Sequence, residues 1–159
     1  MKIGMGYDIH RLSLGRRMVI GGVGIDHPSG PVGHSDGDVL VHAVCDAILG
    51  AMGKGDIGQR YPDTDPSFKD ADSMEFLKDI ASFAAEEGFT VGNLDCVIIA
   101  EEPKIGPHAG AIAASVSTEL GIQAADVSVK GKTAEGLGST GKGESIEAYA
   151  VVLLNKKES

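Results

Sequence analysis

Three segments in which apolar residues recur every three to four positions constrain the fold of this chain most strongly. Each segment is followed by glycine, which is typical of helix C-termini. Asp36 or Asp38 suits the N-cap of the first segment, and Asp72 with Glu75 forms a capping box before the second. Pro107 suits the first turn of the third segment. The predicted helices cover residues 39–52, 73–87 and 107–120.

The segments around these helices are typical of β-strands, and residues 29–37 are assigned to a loop. The predicted strands cover residues 2–10, 89–100, 127–133 and 144–154, and residues 18–25 form one strand or two short strands broken by Gly21 and Gly22. This order of elements predicts an α+β fold, a mixed β-sheet with helices packed on one face. A chain of 159 residues suits one domain spanning residues 1–159. The second sheet face then needs cover, and we expect the chain to associate with copies of itself.

Composition excludes several classes of protein. The formal net charge of −9 argues against nucleic-acid binding, which needs a basic surface. No apolar run is long enough to cross a membrane, and no secretion signal is recognisable, so a cytoplasmic protein with no membrane partner is expected. Cys45 and Cys96 stand alone in apolar surroundings and are interpreted as buried thiols. If this acidic chain binds phosphates, it needs local cations.

An acid and an imidazole occupy the first predicted strand two positions apart. Asp8 and His10 therefore point to the same side of that strand. His42 lies in the first predicted helix, which can pack over the strand. One carboxylate and two imidazoles suit zinc and leave its fourth position open. The residues alone also allow a structural alternative, with Asp8 capping a turn, His10 at a strand end and His42 a buried, satisfied histidine.

Asp38, His42 and Asp46 share one face of the same helix at a spacing of four. We expect Asp46 to accept the second ring N–H of His42 and so to orient it. The alternative interpretation is a solvated helix face.

The segment KGKTAEGLGSTGKGES, residues 130–145, combines glycine, lysine and hydroxyl residues, which suits phosphate binding. Residues 136–142 match the first part of a P-loop. However, Gly143 replaces the Ser or Thr that would bind magnesium, and a strand follows, so a nucleotide-hydrolase loop is not predicted. Residues 53–58 match G-x-G-x-x-G but follow a helix, which argues against dinucleotide binding. Glu135 is a candidate ligand for a second, harder cation such as Mg2+.

Five blocks occur in an order that resembles one known family. They are YDIHRL, GHSDGDVLVHAVCDAILGAMGKGDIG, YPDTDPSFKDADS, PK with a downstream PH, and KTAEGLGSTGKGE. The chain resembles the 2-C-methyl-D-erythritol 2,4-cyclodiphosphate synthases over nearly all of its 159 residues. The resemblance strengthens the zinc interpretation considerably.

The resemblance implies a cyclising, CMP-releasing lyase of the non-mevalonate isoprenoid pathway. Its substrate would be 4-diphosphocytidyl-2-C-methyl-D-erythritol 2-phosphate, and its product 2-C-methyl-D-erythritol 2,4-cyclodiphosphate. It also implies a homotrimer whose sheets face the central axis and whose three active sites lie between subunits. The cytidine pocket of each site would come from the neighbouring subunit.

The resemblance also assigns roles to individual residues. Asp8, His10 and His42 match zinc ligands, and Glu135 matches the ligand of Mg2+ or Mn2+. His34 and Thr133 match catalytic residues that position or stabilise the phosphates. The implied substrate-binding residues are Ser35, Asp56, Ile57, Gly58, Tyr61, Pro62, Asp63, Thr64, Asp65, Ala100, Lys104, Ile105, Gly106, Lys132, Ser139 and Lys142.

Two positions depart from the family pattern, which commonly has an aromatic residue and an arginine where this chain has Ser139 and Lys142. Relatives use these positions around a central channel linked to isoprenoid diphosphates. Lysine lacks the bidentate fork of arginine, so weak binding of such molecules is expected. Two other functions stay open from the residues: a phosphohydrolase that uses the same metals, and a non-catalytic binding protein with a structural zinc.

Overall fold

The structure is a computed structural model that describes residues 1–157. The strands are β1 Lys2–Leu14, β2 Met18–Ile20, β3 Val23–Ile25, β4 Ser29–Pro31, β5 Phe89–Ile99, β6 Val127–Lys132 and β7 Ser145–Lys156. The helices are α1 Val39–Met52, α2 Ile57–Arg60, α3 Ser73–Glu86, α4 Ala109–Leu120 and α5 Gly138–Gly141. Three single 3-10 turns cover Pro66–Phe68, Gly106–His108 and Ala124–Asp126.

The α+β fold is confirmed, with corrections to element boundaries. Strand β1 continues to Leu14, beyond the expected end, because its last residues pair with β4 in the segment assigned to a loop. Residues 18–25 form two short strands with Gly21 and Gly22 between them, which confirms one of the two interpretations, and these strands pair as a separate hairpin. The third predicted helix begins with a 3-10 turn before α4. The short helices α2 and α5 lie in segments without a helical pattern.

One five-stranded sheet carries the fold, in the order β4-β1-β7-β5-β6. Only the β5–β6 pair is parallel. Alternate residues of β7 point to the face that α1, α3 and α4 cover, and these are fully buried: Ile146, Ala148, Ala150, Val152 and Leu154. In the register of the sheet, Asp8 lies opposite Ala148 and His10 opposite Ile146, so both point to this helix-covered face.

The second face of the sheet is uncovered in the single chain and is rich in apolar side chains. It exposes Ile3, Met5, Tyr7, Ile9, Tyr149 and Val151. Isolated exposed apolar residues are common, whereas a continuous apolar row across two paired strands marks a surface that contacts another molecule.

Helix α1 lies directly on strand β1 at two glycines. A Cβ atom added to Gly4 or Gly6 would lie 1.9 Å from the carbonyl oxygen of Ala47 or Ala43, respectively. No side chain fits there, so the backbones of helix and strand are in contact. This packing places the first turn of α1 over the middle of β1.

The start of α1 is held by a fully buried carboxylate. Asp38 is the N-cap and accepts the backbone N–H of Val41 at 3.1 Å. It also accepts the N–H groups of Gly21 at 2.9 Å and Gly22 at 2.7 Å, in the turn of the β2–β3 hairpin. One side chain therefore joins the hairpin to the helix that carries His42. Among residues 1–157, no helix is both long enough and apolar enough to cross a membrane.

Replacing Asp38 by alanine tests this connection, because it leaves three N–H donors without their acceptor. We expect the free energy of unfolding to fall by more than about 3 kcal/mol, measured by urea denaturation at fixed protein concentration. Asp72→Ala is the matched control: Asp72 caps α3 but is exposed and accepts one N–H, from Met74. Its expected loss is about 1 kcal/mol. Equal losses in the two variants would contradict the role of Asp38.

Candidate metal centre and active site

Asp8, His10 and His42 converge on one point, as the sequence predicts. Asp8 Oδ2 lies 2.9 Å from His10 Nε2 and 3.0 Å from His42 Nδ1, and the two ring nitrogens are 3.0 Å apart. Zinc bound tetrahedrally at about 2.0–2.1 Å needs ligand atoms about 3.3 Å apart, so the triangle requires only a slight expansion. Within residues 1–157, no other group of three or more acidic, histidine or cysteine side chains has donor atoms close enough together to hold a metal ion.

The charges of the triad are strongly coupled. Burial alone would raise the pKa of Asp8, but its hydrogen bonds to His10 and His42 hold that pKa well below its usual value. Burial opposes the charged form of His42, yet the facing Asp8 carboxylate raises the pKa of His42 overall. The site therefore favours positive charge beside Asp8, supplied by a proton or by a metal ion.

His42 Nε2, the ring nitrogen that faces away from the triad, does not have the partner that the sequence predicts. Its Nε2 lies 3.0 Å from Ser73 Oγ and 3.1 Å from Ser35 Oγ, and not beside Asp46. Asp46 instead accepts the backbone N–H of Ile57 at 2.7 Å, which fixes the start of α2. Helical spacing places Asp46 one turn from His42, but its carboxylate points to the following loop rather than along the helix.

A cavity of about 450 Å³ opens over the triad. Besides the triad, six of the residues implied by the family resemblance line it: His34, Ser35, Ile57, Gly58, Tyr61 and Asp63. Phe68 and Phe76 also line it and were not predicted, because single aromatic residues carry no motif. The lining of this cavity, drawn from residues 1–157, contains no lysine or arginine.

Three aromatic rings and one ion pair fix the wall of this cavity. Tyr61 stacks on Phe76 with ring centroids 4.3 Å apart, and Phe68 meets both rings edge-on. The Tyr61 hydroxyl donates to Asp79 on α3, and the guanidinium of Arg60 donates to the same oxygen at 2.9 and 3.0 Å. Asp79 was not predicted, because the sequence does not show that α2 and α3 meet.

Four further residues that the resemblance implies for substrate binding lie beside the cavity rather than in its wall: Asp56, Pro62, Thr64 and Asp65. Asp56 caps α2 by accepting the N–H of Gln59, and Asp65 accepts the N–H of Ser67. Pro62 and Thr64 are exposed in the intervening turn. Their role in substrate binding stays a prediction.

A second cavity, of about 130 Å³, lies around Ala100, Lys104, Ile105 and Gly106, which the family resemblance implies for the cytidine pocket. It is lined by Ala100, Lys104, Ile105, Gly106, Gly131, Lys132 and Thr133. It shares no residue with the cavity over the triad, and it brings two lysines together where the first has none. The single chain therefore presents two separate cavities of different charge.

Glu135 follows this second cavity in an unusual conformation. Its φ of +53° lies in the left-handed region that favours glycine, and Thr133 Oγ1 donates to its carboxylate at 2.7 Å. Glu101 holds the loop by accepting the N–H groups of Ala134 at 2.9 Å and Gly136 at 3.4 Å. Glu101 was not singled out from the sequence, because the contact spans 33 positions.

Ser139 and Lys142 lie elsewhere. Ser139 lines a third cavity, of about 570 Å³, together with Ile9 and Arg11 of β1. The hydroxyl of Ser139 accepts a hydrogen bond from Ser145, and Lys142 follows α5 as its C-cap. Neither residue lines the cavity over the triad or the second cavity, and substrate binding by Ser139 and Lys142 stays a prediction.

Comparison with known proteins gives consistent matches along the chain. The YgbB family profile matches residues 1–155. A 2-C-methyl-D-erythritol 2,4-cyclodiphosphate synthase from Trichlorobacter lovleyi is 51% identical over 154 residues, covering 97% of this chain and 98% of that protein. A protein of the same name from Halalkalibacterium halodurans is 49% identical over 156 residues, covering 98% of this chain and 99% of that protein.

Solved structures share the fold. IspF from Plasmodium falciparum, in complex with CDP, has a TM-score of 0.88 and 37% identity, covering 99% of this chain and 97% of that chain. The bifunctional IspDF from Campylobacter jejuni has a TM-score of 0.95 and 39% identity. The match covers 99% of this chain but only 42% of the bifunctional chain.

Zinc affinity should depend on pH, because a metal can bind His42 only after its Nδ1 loses a proton. The pKa of His42 is raised above 6.5, so the proton begins to compete above that pH. Below the raised pKa, we expect the apparent zinc affinity to fall at least about tenfold for each pH unit. Competition with a chromogenic chelator between pH 5.5 and 8.5 measures this. A constant affinity below pH 7 would contradict the raised pKa.

Proposed function

The chain belongs to the YgbB family, and we propose how it converts 4-diphosphocytidyl-2-C-methyl-D-erythritol 2-phosphate into 2-C-methyl-D-erythritol 2,4-cyclodiphosphate and CMP. This reaction is a step of the non-mevalonate pathway of isoprenoid biosynthesis. The observation that supports it most is the full-length family match together with the Asp-His-His triad, which opens into a cavity.

The bond changes are those of an intramolecular phosphoryl transfer. An oxygen of the 2-phosphate attacks the β-phosphorus of the diphosphate and forms a new P–O bond. The bond from that phosphorus to the oxygen bridging the two phosphates breaks, and its electron pair leaves with CMP. No water is consumed, so the reaction is that of a phosphorus–oxygen lyase. Such a transfer depends mainly on positioning the reacting groups and on balancing their charge.

Charge in the first cavity argues for metal ions. The substrate brings several phosphate groups, whereas this cavity has carboxylates and no lysine or arginine among its described lining residues. Asp8, His10 and His42 would hold Zn2+, and Glu135 would hold Mg2+ or Mn2+. When bound, the two ions supply the positive charge that two phosphates need in order to approach each other.

The chain's own residues position the substrate. His34 and Ser35 border the cavity beside the triad, where an N–H or a hydroxyl can hold a phosphate oxygen. The Tyr61 and Asp63 loop encloses the methylerythritol, and Phe68 and Phe76 exclude water from that side. Thr133 lies at the edge of the lysine-bearing cavity, where it can hold the diphosphate.

The division into two half-sites supports a homotrimer. The first cavity suits the phosphorylated methylerythritol, and the second, with Lys104 and Lys132, suits the cytidine diphosphate end. A CDP complex is known for the Plasmodium falciparum relative. The exposed apolar face of the sheet gives neighbouring copies a surface to share, so that each active site combines half-sites from two subunits.

The product distinguishes this function from a phosphohydrolase. With Zn2+ and Mg2+ present, 31P NMR of the reaction should show the two coupled signals of a cyclic diphosphate, together with CMP. Linear phosphates with CMP would mean that water enters the site, and the hydrolase function would replace the cyclase. Zinc binding without any turnover would leave only a binding protein.

Substitution of one ligand in each half-site tests the metal assignments. His42→Ala should abolish zinc binding and activity while retaining the trimer, because His42 supplies one of three ligands. Glu135→Gln should retain zinc and lose most of the rate. Zinc content by mass spectrometry and initial rates measure both. Activity that survives His42→Ala would refute the ligand set, and an unchanged rate in Glu135→Gln would remove Glu135 from the mechanism.

Mixed trimers test the shared site. When the two inactive variants are unfolded and refolded together, some sites combine an intact metal half-site with an intact nucleotide half-site, so activity should return. The double variant His42→Ala/Glu135→Gln, refolded with the His42→Ala chain, is the control and should stay inactive. No recovery in the first mixture would mean that both halves of each site come from the same chain.

A further inference from the structure

His42 has a second set of hydrogen-bond partners, on the side of its ring that faces away from Asp8 and His10. His42 Nε2 is 3.0 Å from the hydroxyl of Ser73, the first residue of α3. Ser73 is fully buried, and its hydroxyl donates to Asp36 Oδ1. The backbone N–H of Ser73 donates to the other oxygen of Asp36 at 3.2 Å. Asp36, Ser73 and His42 therefore form a continuous chain of hydrogen bonds.

The direction of this chain follows from the number of hydrogens available. A serine hydroxyl has one hydrogen, and an ionised carboxylate can only accept. Because Ser73 gives its hydrogen to Asp36, its oxygen can only accept from His42. Nε2 must then carry a ring hydrogen, so in the neutral ring Nδ1, which lies 3.0 Å from both Asp8 Oδ2 and His10 Nε2, is the nitrogen left with a lone pair for a metal.

Ser35 cannot replace this arrangement. Its hydroxyl also lies near His42 Nε2, at 3.1 Å, but its other contacts within residues 1–157 are the N–H of Gly37 and the hydroxyl of Ser73. None of these is a carboxylate. Ser35 therefore touches the same nitrogen without a charged acceptor that fixes the direction of its hydrogen.

We propose that Asp36, acting through Ser73, is a positioning residue that holds His42 in the Nε2–H tautomer and so prepares Nδ1 to bind the metal. The relay connects the loop at residues 34–38 with the start of α3, and two backbone bonds, Asp36 N–H to Ala71 and Asp70 N–H to His34, keep these segments together. The proposal rests on the proposed function for the metal site, but not on turnover.

Zinc affinity of the purified full-length protein, measured by chelator competition, tests the relay. Ser73→Ala removes the hydroxyl that links His42 to the Asp36 carboxylate, and we expect zinc affinity to fall about 10- to 100-fold. Ser73→Thr keeps the hydroxyl and should restore most of the affinity. Asp36→Asn keeps a hydrogen-bond acceptor without its charge and should give an intermediate loss. Asp72→Asn alters the neighbouring cap of α3 without touching the relay and should bind zinc as the unaltered chain does.

Nitrogen-15 NMR of the histidine rings separates positioning from a general structural effect. In the unaltered, metal-free protein at pH 9, neutral His42 should carry its hydrogen on Nε2, and in the zinc-loaded protein it should bind the metal through Nδ1. In Ser73→Ala, we expect that tautomer signature to weaken in the metal-free form at pH 9, while the protein stays folded.

The outcomes are distinct. If Ser73→Ala binds zinc as tightly as the unaltered chain, or if neutral, metal-free His42 of the unaltered chain carries its hydrogen on Nδ1, the relay is refuted and the metal site is not. If the unaltered chain binds no zinc, the proposed function of the triad fails first.

Discussion

The metal triad depends on the direct contact between helix α1 and strand β1. Gly4 and Gly6 let the helix backbone rest on the strand backbone, because an added Cβ would lie 1.9 Å from a carbonyl oxygen of the helix. Only at this separation can His42, in the first turn of the helix, reach Asp8 and His10 within 3.0 Å. The buried Asp38 then fixes the end of the helix that carries His42. The geometry of the triad is therefore set by backbone packing at neighbouring residues that are not themselves part of the triad.

The same packing explains the electrostatics of the site. Placing His42 over Asp8 sets a carboxylate between two imidazoles, whose hydrogen bonds lower the pKa of Asp8 despite its burial, and the carboxylate in turn raises the pKa of His42. A site built this way holds a positive charge even without metal, and a divalent ion competes with a proton for it. In a chain of net charge −9, this is how an anionic substrate can be bound in a cavity that lacks lysine and arginine.

Local features were predictable from the sequence, and long-range ones were not. The spacing of apolar residues and the glycine that follows them predicted both ends of helix α1 correctly. The two-residue spacing of Asp8 and His10 predicted correctly that both point to the same face of the sheet. The partner of His42 was predicted wrongly as Asp46, because helical spacing reports only contacts within one helix. Ser73 was interpreted only as part of a helix start, since its contact with His42 spans 31 positions and depends on how two loops pack. The family resemblance supplied the residues of the second cavity, which no spacing in the chain would reveal.

The order of the strands in the sheet separates the two cavities that the proposed active site would combine. The triad belongs to β1 and α1, whereas Ala100, Ile105 and Lys132 lie at the ends of β5 and β6, with β7 between β1 and β5. In the proposed reaction, the phosphorylated methylerythritol and the cytidine are opposite ends of one substrate, and one rigid sheet cannot bring together the two cavities that would hold them. Rotation of a second copy about an axis along the apolar face can do so without deforming either chain. On this argument, we expect the exposed row of Ile3, Met5 and Tyr7 to join the subunits, so that the proposed interface would also complete the proposed active site.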